Sequence, residues 1–202
     1  MKNKFIKSLW LPLLILVTGS FHLAYAASPA LEHLKTSLAS AQQVLADPKL
    51  AGDKHLYQRR KLMRVVLQQL LDFEEMSRRS LGANARRYKD RLAEFTPLFI
   101  DFLEYTYMGI LEENGDAKIQ YVREISDGEY IQINTKTRLK DGNEYRVDYK
   151  LHLNGAGWRA YDVAVEGVSL VNNYRSQFDR FLNHKSFDEL LQDLREKKEK
   201  FN

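Results

Sequence analysis

The sequence predicts an α+β fold: a curved antiparallel four-stranded meander with helices packed over one face, whose apolar layers either pack shut or enclose an apolar pocket. Between residues 28 and 113, apolar residues recur every three or four positions, the period of amphipathic helices. After residue 115 the period changes to two, as in half-buried strands. The short connections between these strands cannot hold crossover helices, so a parallel sheet is excluded.

Five helical segments are predicted ahead of the sheet. Ser28 starts the first, with Pro29 in its first turn, where a missing N–H costs nothing. Asp72 begins a capping box, and Gly82 ends the short helix that follows. Pro97 is expected to kink or restart the last helix, because proline lacks a backbone donor. The segments cover 28–46, 54–71, 72–82, 85–95 and 96–113.

Four strands follow, each with alternating apolar and polar residues. Turns at 127–128, 141–142 and 154–157 separate them. Because alternate side chains point to opposite faces, one face of the sheet is apolar and the other is wet. The apolar face must be covered, either by the preceding helices or by the helix expected after Gly167. A final helix begins in a capping box at Ser186.

The second helix carries a basic outer side. Such a cluster could dock on an acidic partner or on anionic lipid, although a solvated helix face is the more common arrangement. Its members are Arg59, Arg60, Lys61 and Arg64.

Residues 1–26 are predicted to be a secretory signal peptide, which leaves 27–202 as a single α+β domain. Three lysines precede a short apolar run at 9–17, and Ala24-Tyr25-Ala26 supplies the small-x-small cleavage pattern. The run is too short for a membrane span. An uncleaved anchor is the alternative, and Pro12 within the run argues against it.

Composition and motifs exclude several functional classes. The chain has no cysteine, so disulfides, thiolate zinc sites and cysteine nucleophiles are excluded. Its 31 basic and 27 acidic residues give a net charge of +4, and removal of the three leader lysines leaves about +1. That charge does not support a nucleic-acid-binding surface. Because HExxH, GxSxG, P-loop and GxGxxG motifs are also absent, we expect no catalytic residues, no metal and no cofactor.

The stretch 158–182 joins the last strand to a helix and contains two suggestive carboxylates. On a strand, Asp162 and Glu166 would lie about 13 Å apart on one face, too far for a general acid/base pair. Alternation places them opposite Tyr161, on the wet side of the sheet. We expect them to fasten the strand-to-helix corner, and we expect Ser169 to cap the helix.

The same stretch resembles the C-terminal signature of the MlaC family, the toluene-tolerance auxiliary proteins of Gram-negative bacteria. The family pattern W-x-x-Y-D-h-x-h-E-G-V-S-h, where h is apolar, precedes Y-R-x-x-F, and here the two parts span 158–170 and 174–178. Upstream, Asp72-Phe73 and Leu81-Gly82 resemble the family's helical segment, so the resemblance covers nearly all of the mature chain. The chain departs from the family at 84–90, which lacks the usual tryptophan and the Thr/Ser-Pro-Glu-Gln helix start.

The resemblance implies a monomeric phospholipid carrier of the periplasm. Such proteins shuttle lipid between an outer-membrane lipoprotein complex and an inner-membrane ABC transporter complex with an MCE-domain protein. Acyl tails would lie in the pocket between the sheet and the helices, where the sequence places an excess of large apolar residues. We hypothesise that the lipid-binding wall contains Phe102, Tyr105, Val147, Tyr149, Leu151, Tyr161, Val163, Leu170, Tyr174 and Phe178.

Two other functional classes remain open from the sequence. A small enzyme on a cone-like α+β fold, such as a dehydratase or isomerase, would need acid/base groups inside the pocket. The inward positions are nearly all apolar, which argues against it. A protein-interaction module would instead have its apolar layers packed shut.

Overall fold

The computed structural model describes residues 27–199, and the predicted signal peptide lies outside the described residues. The described helices are α1 (Pro29–Ala46), α2 (Leu56–Leu70), α3 (Phe73–Leu81), α4 (Asn84–Arg87), α5 (Leu92–Glu113), α6 (Leu170–Leu182) and α7 (Phe187–Glu199). The described strands are β1 (Lys118–Asp127), β2 (Tyr130–Arg138), β3 (Glu144–Asn154), β4 (Gly157–Val165) and β5 (Val168–Ser169). No helix in this part of the chain is both long and apolar enough to cross a membrane.

The described strands form one curved sheet in the order β1-β2-β3-β4-β5, and every neighbouring pair is antiparallel. The predicted α+β fold and antiparallel meander are confirmed, but there are five strands rather than four. The additional strand, β5, returns along β4 for two residues after a turn at Glu166 and Gly167, which have φ angles of 50° and 79°. So short a strand leaves no alternating pattern in the sequence.

The helix caps at Ser28 and Asp72 are confirmed, but the capping box predicted at Asp72 is incomplete, because the Glu75 carboxylate pairs with Arg78 and Arg79 and the Asp72 N–H donates to Ala160. Ser28 and Asp72 each accept a hydrogen bond from the backbone N–H three residues ahead, at 3.0 and 2.9 Å. Gly82 ends α3 with a φ of 57°, a conformation that favours glycine. The capping box at Ser186 is complete, since its hydroxyl accepts from the N–H of Glu189 and its N–H donates to the Glu189 carboxylate.

The helix restart predicted at Pro97 does not occur, because α5 runs unbroken through this residue. The proline lies in the second turn of the helix and removes one backbone hydrogen bond. Phe95 and Phe99 flank it and are almost completely buried, and this burial outweighs the lost bond. The helix predicted at 85–95 is divided among the single turn α4, a 3₁₀ turn at Lys89–Arg91 and the first turn of α5.

Buried apolar side chains form two clusters. The helical cluster joins α3 through α7, and the sheet cluster joins one face of the sheet to α1 and the end of α2. The helical cluster contains Phe73, Met76, Leu81, Ala85, Phe95, Phe99, Leu103, Val171, Tyr174, Phe178, Phe187, Leu190, Leu191 and Leu194. The sheet cluster contains Ala30, Leu34, Leu70, Ile131, Ile133, Tyr149, Leu151 and Ala160.

Candidate functional site

Eight of the ten predicted lining residues fall into two groups. Tyr174 and Phe178 are buried in the helical cluster, with Phe102 and Leu170 packed against it. Four others belong to the sheet cluster or pack against it. These are Val147, Tyr149, Leu151 and Val163. The remaining two predicted residues, Tyr105 and Tyr161, lie elsewhere.

Tyr105 and Tyr161 are members of neither cluster. The side chain of Tyr105 on α5 is 40% exposed. A bulge in β4 pairs Asp162 with Lys150 but Ala160 with Leu151, so one extra residue stands between these two pairs. Because the bulge shifts the alternation, Tyr161 points to the face opposite Leu151, where the guanidinium of Arg79 lies 4.1 Å from its ring centre.

The helical cluster is built around the aromatic rings of α5 and α6. The ring centre of Phe99 lies 5.4 Å from Phe95, 5.3 Å from Tyr174 and 5.5 Å from Phe178. The Tyr174 hydroxyl lies 3.3 Å from that of Tyr107. Burial, followed by this neighbouring hydroxyl, raises the pKa of Tyr174 well above its usual value, so the phenol stays neutral.

The tyrosine of the sheet cluster, Tyr149, is also uncharged. Burial raises the pKa of Tyr149 far above that of a solvated phenol. Ile133, its neighbour across the β2–β3 pair, is almost completely buried, and Ala160 on β4 is fully buried. The apolar layers therefore contain hydroxyl groups but no ionised tyrosine at neutral pH.

Two residues between the clusters were not among the predicted lining residues. Leu71, directly after α2, packs against both clusters, and Leu67, one turn earlier, packs against the helical cluster. Leu71 also pairs with Ala160 of β4 in an isolated parallel bridge. The sequence signal that could have indicated these residues is the Leu-Asp-Phe junction at 71–73, where the second helix ends and the Asp72 cap begins the third.

Asp162 fastens the corner between β4 and α6, as predicted, but it does so while buried. Its carboxylate accepts hydrogen bonds from Lys150 Nζ at 3.0 Å, Ser169 Oγ at 2.7 Å and Val171 N at 3.2 Å. Ser169 in turn caps α6, also as predicted. The expectation that Asp162 lies on the wet side is wrong, since the residue is only 3% exposed. The bulge and the start of α6 cover this margin of the polar face.

Glu166 is exposed and also serves the corner. Its carboxylate accepts a hydrogen bond from the backbone N–H of Arg146 on β3. Its own N–H donates to the Arg146 carbonyl at 2.9 Å. Both predicted fasteners are thus structural, and neither points into the apolar layers.

Asp72 is the polar junction between α2, α3 and the sheet. Its carboxylate lies 2.9 Å from His152 Nε2, accepts from Asn154 Nδ2 at 2.8 Å, and caps α3 through the N–H of Glu75. The backbone N–H of Asp72 donates to the Ala160 carbonyl at 2.9 Å. Burial raises the pKa of Asp72, but hydrogen bonds from Glu75, Asn154 and His152 outweigh it and hold the pKa below its ordinary value.

This pKa shift predicts a pH-dependent contribution of Asp72 to stability. A depressed carboxyl pKa stabilises the fold above the ordinary value of 3.8, and the contribution is lost as the pH falls through the folded-state pKa. Asp72→Asn keeps a good capping residue but removes the charge, so we expect it to lower the free energy of unfolding by about 1 kcal/mol at pH 7. Urea unfolding between pH 7 and pH 3 should show that the difference in free energy of unfolding between parent and variant closes below about pH 4. A difference that stays constant would contradict the assignment.

The basic side of α2 is paired with α5, and it stays partly solvated, since the side chains of Arg60 and Arg64 are each 44% exposed. Its arginines meet acidic residues of α5 in what we call the α2–α5 seam, and Lys61 is exposed. The α5 carboxylates are about 85% buried, because the guanidinium groups cover them. The seam consists of Arg59, Arg60 and Arg64 on α2 and Asp101, Glu104 and Glu112 on α5.

Two concavities in the described part of the chain lie away from the predicted lining. One is an open groove of about 570 Å³ between α1 and the start of β1. The other, of about 220 Å³, lies on β1, β2 and β3 beside Glu166. Neither contains any of the ten predicted residues, so the apolar pocket between the layers stays a prediction. Among the described residues there is no group of three or more side chains suited to holding a metal ion.

Comparisons with known proteins agree with this architecture. The family model described as MlaC protein matches residues 35–196. A solved phospholipid-binding protein from Ralstonia solanacearum, in complex with a phospholipid, superposes with a TM-score of 0.74. It is 20% identical, and the match covers 86% of this chain and 99% of that chain, which shows a shared fold. No curated protein sequence matches. Since the family model spans most of the chain, including the helical cluster and the β4–α6 corner, this protein belongs to the MlaC family.

Proposed function

We propose that this protein binds phospholipid and carries it across the periplasm. The carrier would exchange lipid with an outer-membrane lipoprotein complex and with an inner-membrane ABC transporter complex containing an MCE-domain protein. The observation that carries this proposal is the pair of uncharged apolar clusters, which meet at Leu71 in a fold shared with a phospholipid-binding protein. Family membership supports the periplasmic location and the partner complexes.

The energetics suit a carrier. Burying about 30 methylene groups of two acyl chains at about 0.8 kcal/mol each releases about 24 kcal/mol relative to water. This exceeds the practical limit of roughly 18–21 kcal/mol for non-covalent binding, so loss of lipid into water would be negligible. A bilayer offers the tails nearly the same environment, however. Exchange with a membrane or a partner complex would therefore be close to thermoneutral, and its direction would be set by the partners.

A catalytic role has less support. The enzyme alternative requires an acid or base facing the apolar layers. Asp162 holds the β4–α6 corner, Asp72 holds the α3 cap, and His152 lies against Asp72. These groups have structural partners at the margin of the sheet, so we propose a binding protein and not an enzyme.

The test is lipid recovery from the purified mature chain. After incubation with liposomes and re-isolation, organic extraction and mass spectrometry should recover phospholipid. Val147→Trp should lower occupancy about tenfold, because overpacking costs about 1–3 kcal/mol where the tails must fit. Val147 packs against the sheet cluster, whereas Val122 on β1 is 54% exposed and makes Val122→Trp the matched control. Absence of lipid from the parent protein would refute the proposal. An equal loss of bound lipid in Val147→Trp and Val122→Trp would show that Val147 does not line the pocket.

A further inference from the structure

The α2–α5 seam joins two helices by ion pairs. The backbones of these helices are otherwise close to each other at few positions. Glu112 accepts from Arg59 Nε at 3.0 Å and from Arg60 Nη2 at 3.1 Å. Arg64 donates to Asp101 at 2.7 Å and, through its Nε, to Glu104 at 2.8 Å. The two helices are therefore held together along this line by long charged side chains.

The seam separates two bodies that are joined firmly elsewhere. The first body is the sheet with α1 and α2, which pack on each other and on β4. The second is the bundle α3 to α7, in which α3 packs on α6 and α5 on α7. The bundle is attached at the β4 margin, where Asp72 donates to Ala160 and Asp162 accepts from Ser169 and Val171. The bundle is thus attached at the β4 margin, and the seam is a second contact between the two bodies that charged side chains hold closed.

Apolar surface lies directly behind the seam. Leu67, on the inner side of α2, packs against the helical cluster, as do Phe102 and Tyr107 of α5. Leu71, one turn beyond Leu67, contacts both clusters. Separating α2 from α5 would expose a continuous apolar path from the surface to the line where the two clusters meet.

We infer that the α2–α5 seam is the entrance through which acyl chains reach the apolar layers. This inference rests on the proposed lipid-carrier function. Ion pairs suit a contact that must open, because hydration of the two separated charges compensates for much of the attraction that is lost. An apolar closure of the same length would lose its burial energy on opening without such compensation. When closed, the arginines screen the apolar path from solvent.

The inference is tested by comparing lipid uptake by one variant with its seam tethered and with its seam untethered. The chain has no cysteine, so Arg60→Cys/Glu112→Cys provides one reactive pair across the seam. A short bismaleimide would tether the pair, and N-ethylmaleimide would cap the same variant without tethering it. The readout is the rate at which a phospholipid with a fluorescent tail passes to the protein from phosphatidylethanolamine and phosphatidylglycerol liposomes. We expect tethering to slow uptake at least about tenfold, since the closed state becomes covalent.

A second cysteine pair controls for tethering as such. Arg91 and Asp188 form an ion pair at 2.7 Å within the bundle, so tethering Arg91→Cys/Asp188→Cys does not cross the seam. Its uptake rate should not change. If the tethered seam variant takes up lipid as fast as the N-ethylmaleimide-capped variant, the seam is not the entrance, and the carrier function is unaffected. If no protein takes up lipid, the parent included, the carrier function fails and the entrance fails with it.

Neutralising one seam residue should have the opposite effect. Glu112→Gln keeps the shape of the side chain but removes the charge facing Arg59 and Arg60. We expect about tenfold faster uptake, because the closed state loses a partly buried ion pair while the open state is solvated. Higher ionic strength should accelerate the parent more than the variant. Slower or unchanged uptake by a folded Glu112→Gln variant would overturn the inference.

Discussion

Replacing Phe99 by alanine should lower the free energy of unfolding by about 4 kcal/mol, the value typical of a buried phenylalanine. Phe99 is 1% exposed and lies among the rings of Phe95, Tyr174 and Phe178. Truncation removes the shared ring contacts of α5 and α6 and leaves a cavity that the surrounding aromatic side chains cannot fill without changing rotamer. The bundle would lose its central contact.

Equilibrium urea unfolding, followed by circular dichroism, would measure this loss. Ile110→Ala is a matched control on the same helix, because Ile110 is 57% exposed and its truncation should cost less than about 0.5 kcal/mol. If Phe99→Ala cost no more than Ile110→Ala, the helical cluster would not be the packed unit described above.

Replacing Asp162 by alanine should lower the free energy of unfolding by about 3 kcal/mol, as expected when one partner of a buried charged network is removed. The variant would leave Lys150 without its carboxylate partner and Val171 N–H without an acceptor. It would also release the hydroxyl of Ser169, which caps α6. The corner that attaches the bundle to β4 would therefore weaken at three points.

The same unfolding measurement applies, with Asp193→Ala as the control. Asp193 forms an i,i+4 pair with Lys197 on the surface of α7, and such pairs contribute about 0.3–0.5 kcal/mol. Asp162→Asn should lie between parent and alanine variant, because the amide oxygen still accepts one hydrogen bond. Equal losses for Asp162→Ala and Asp193→Ala would show that Asp162 does not hold the corner.

The features that sequence reasoning predicted correctly are local ones. Ser28, Asp72 and Ser169 were assigned as helix caps, and each bonds a backbone N–H two or three residues inside its helix. A cap needs only a short acceptor side chain at the first turn, so its partner is close in sequence. The antiparallel meander was likewise predictable, because period-two alternation and glycine turns are read directly from neighbouring residues.

The errors arose where distant segments meet. Pro97 stays inside α5 because the helix gains more from burial of Phe95 and Phe99 than it loses in hydrogen bonding. Tyr161 faces away from Val163 because a bulge, invisible to simple alternation, shifts the register of β4. The sequence predicted apolar lining residues on β3, β4, α5 and α6, but not that most of them divide between two clusters that meet at Leu71. Their role as a lipid-binding wall stays a prediction.

Residue types and their periods in the chain were sufficient for the fold class, the helix caps and the uncharged character of the layers, and the motif at 158–178 was sufficient for the family resemblance. The burial of Asp162, the junction at Leu71 and the pairing of Arg64 with Asp101 and Glu104 required the folded molecule. The reason is physical: each depends on groups from segments far apart in sequence, and desolvation or ion pairing appears only when those segments are brought together.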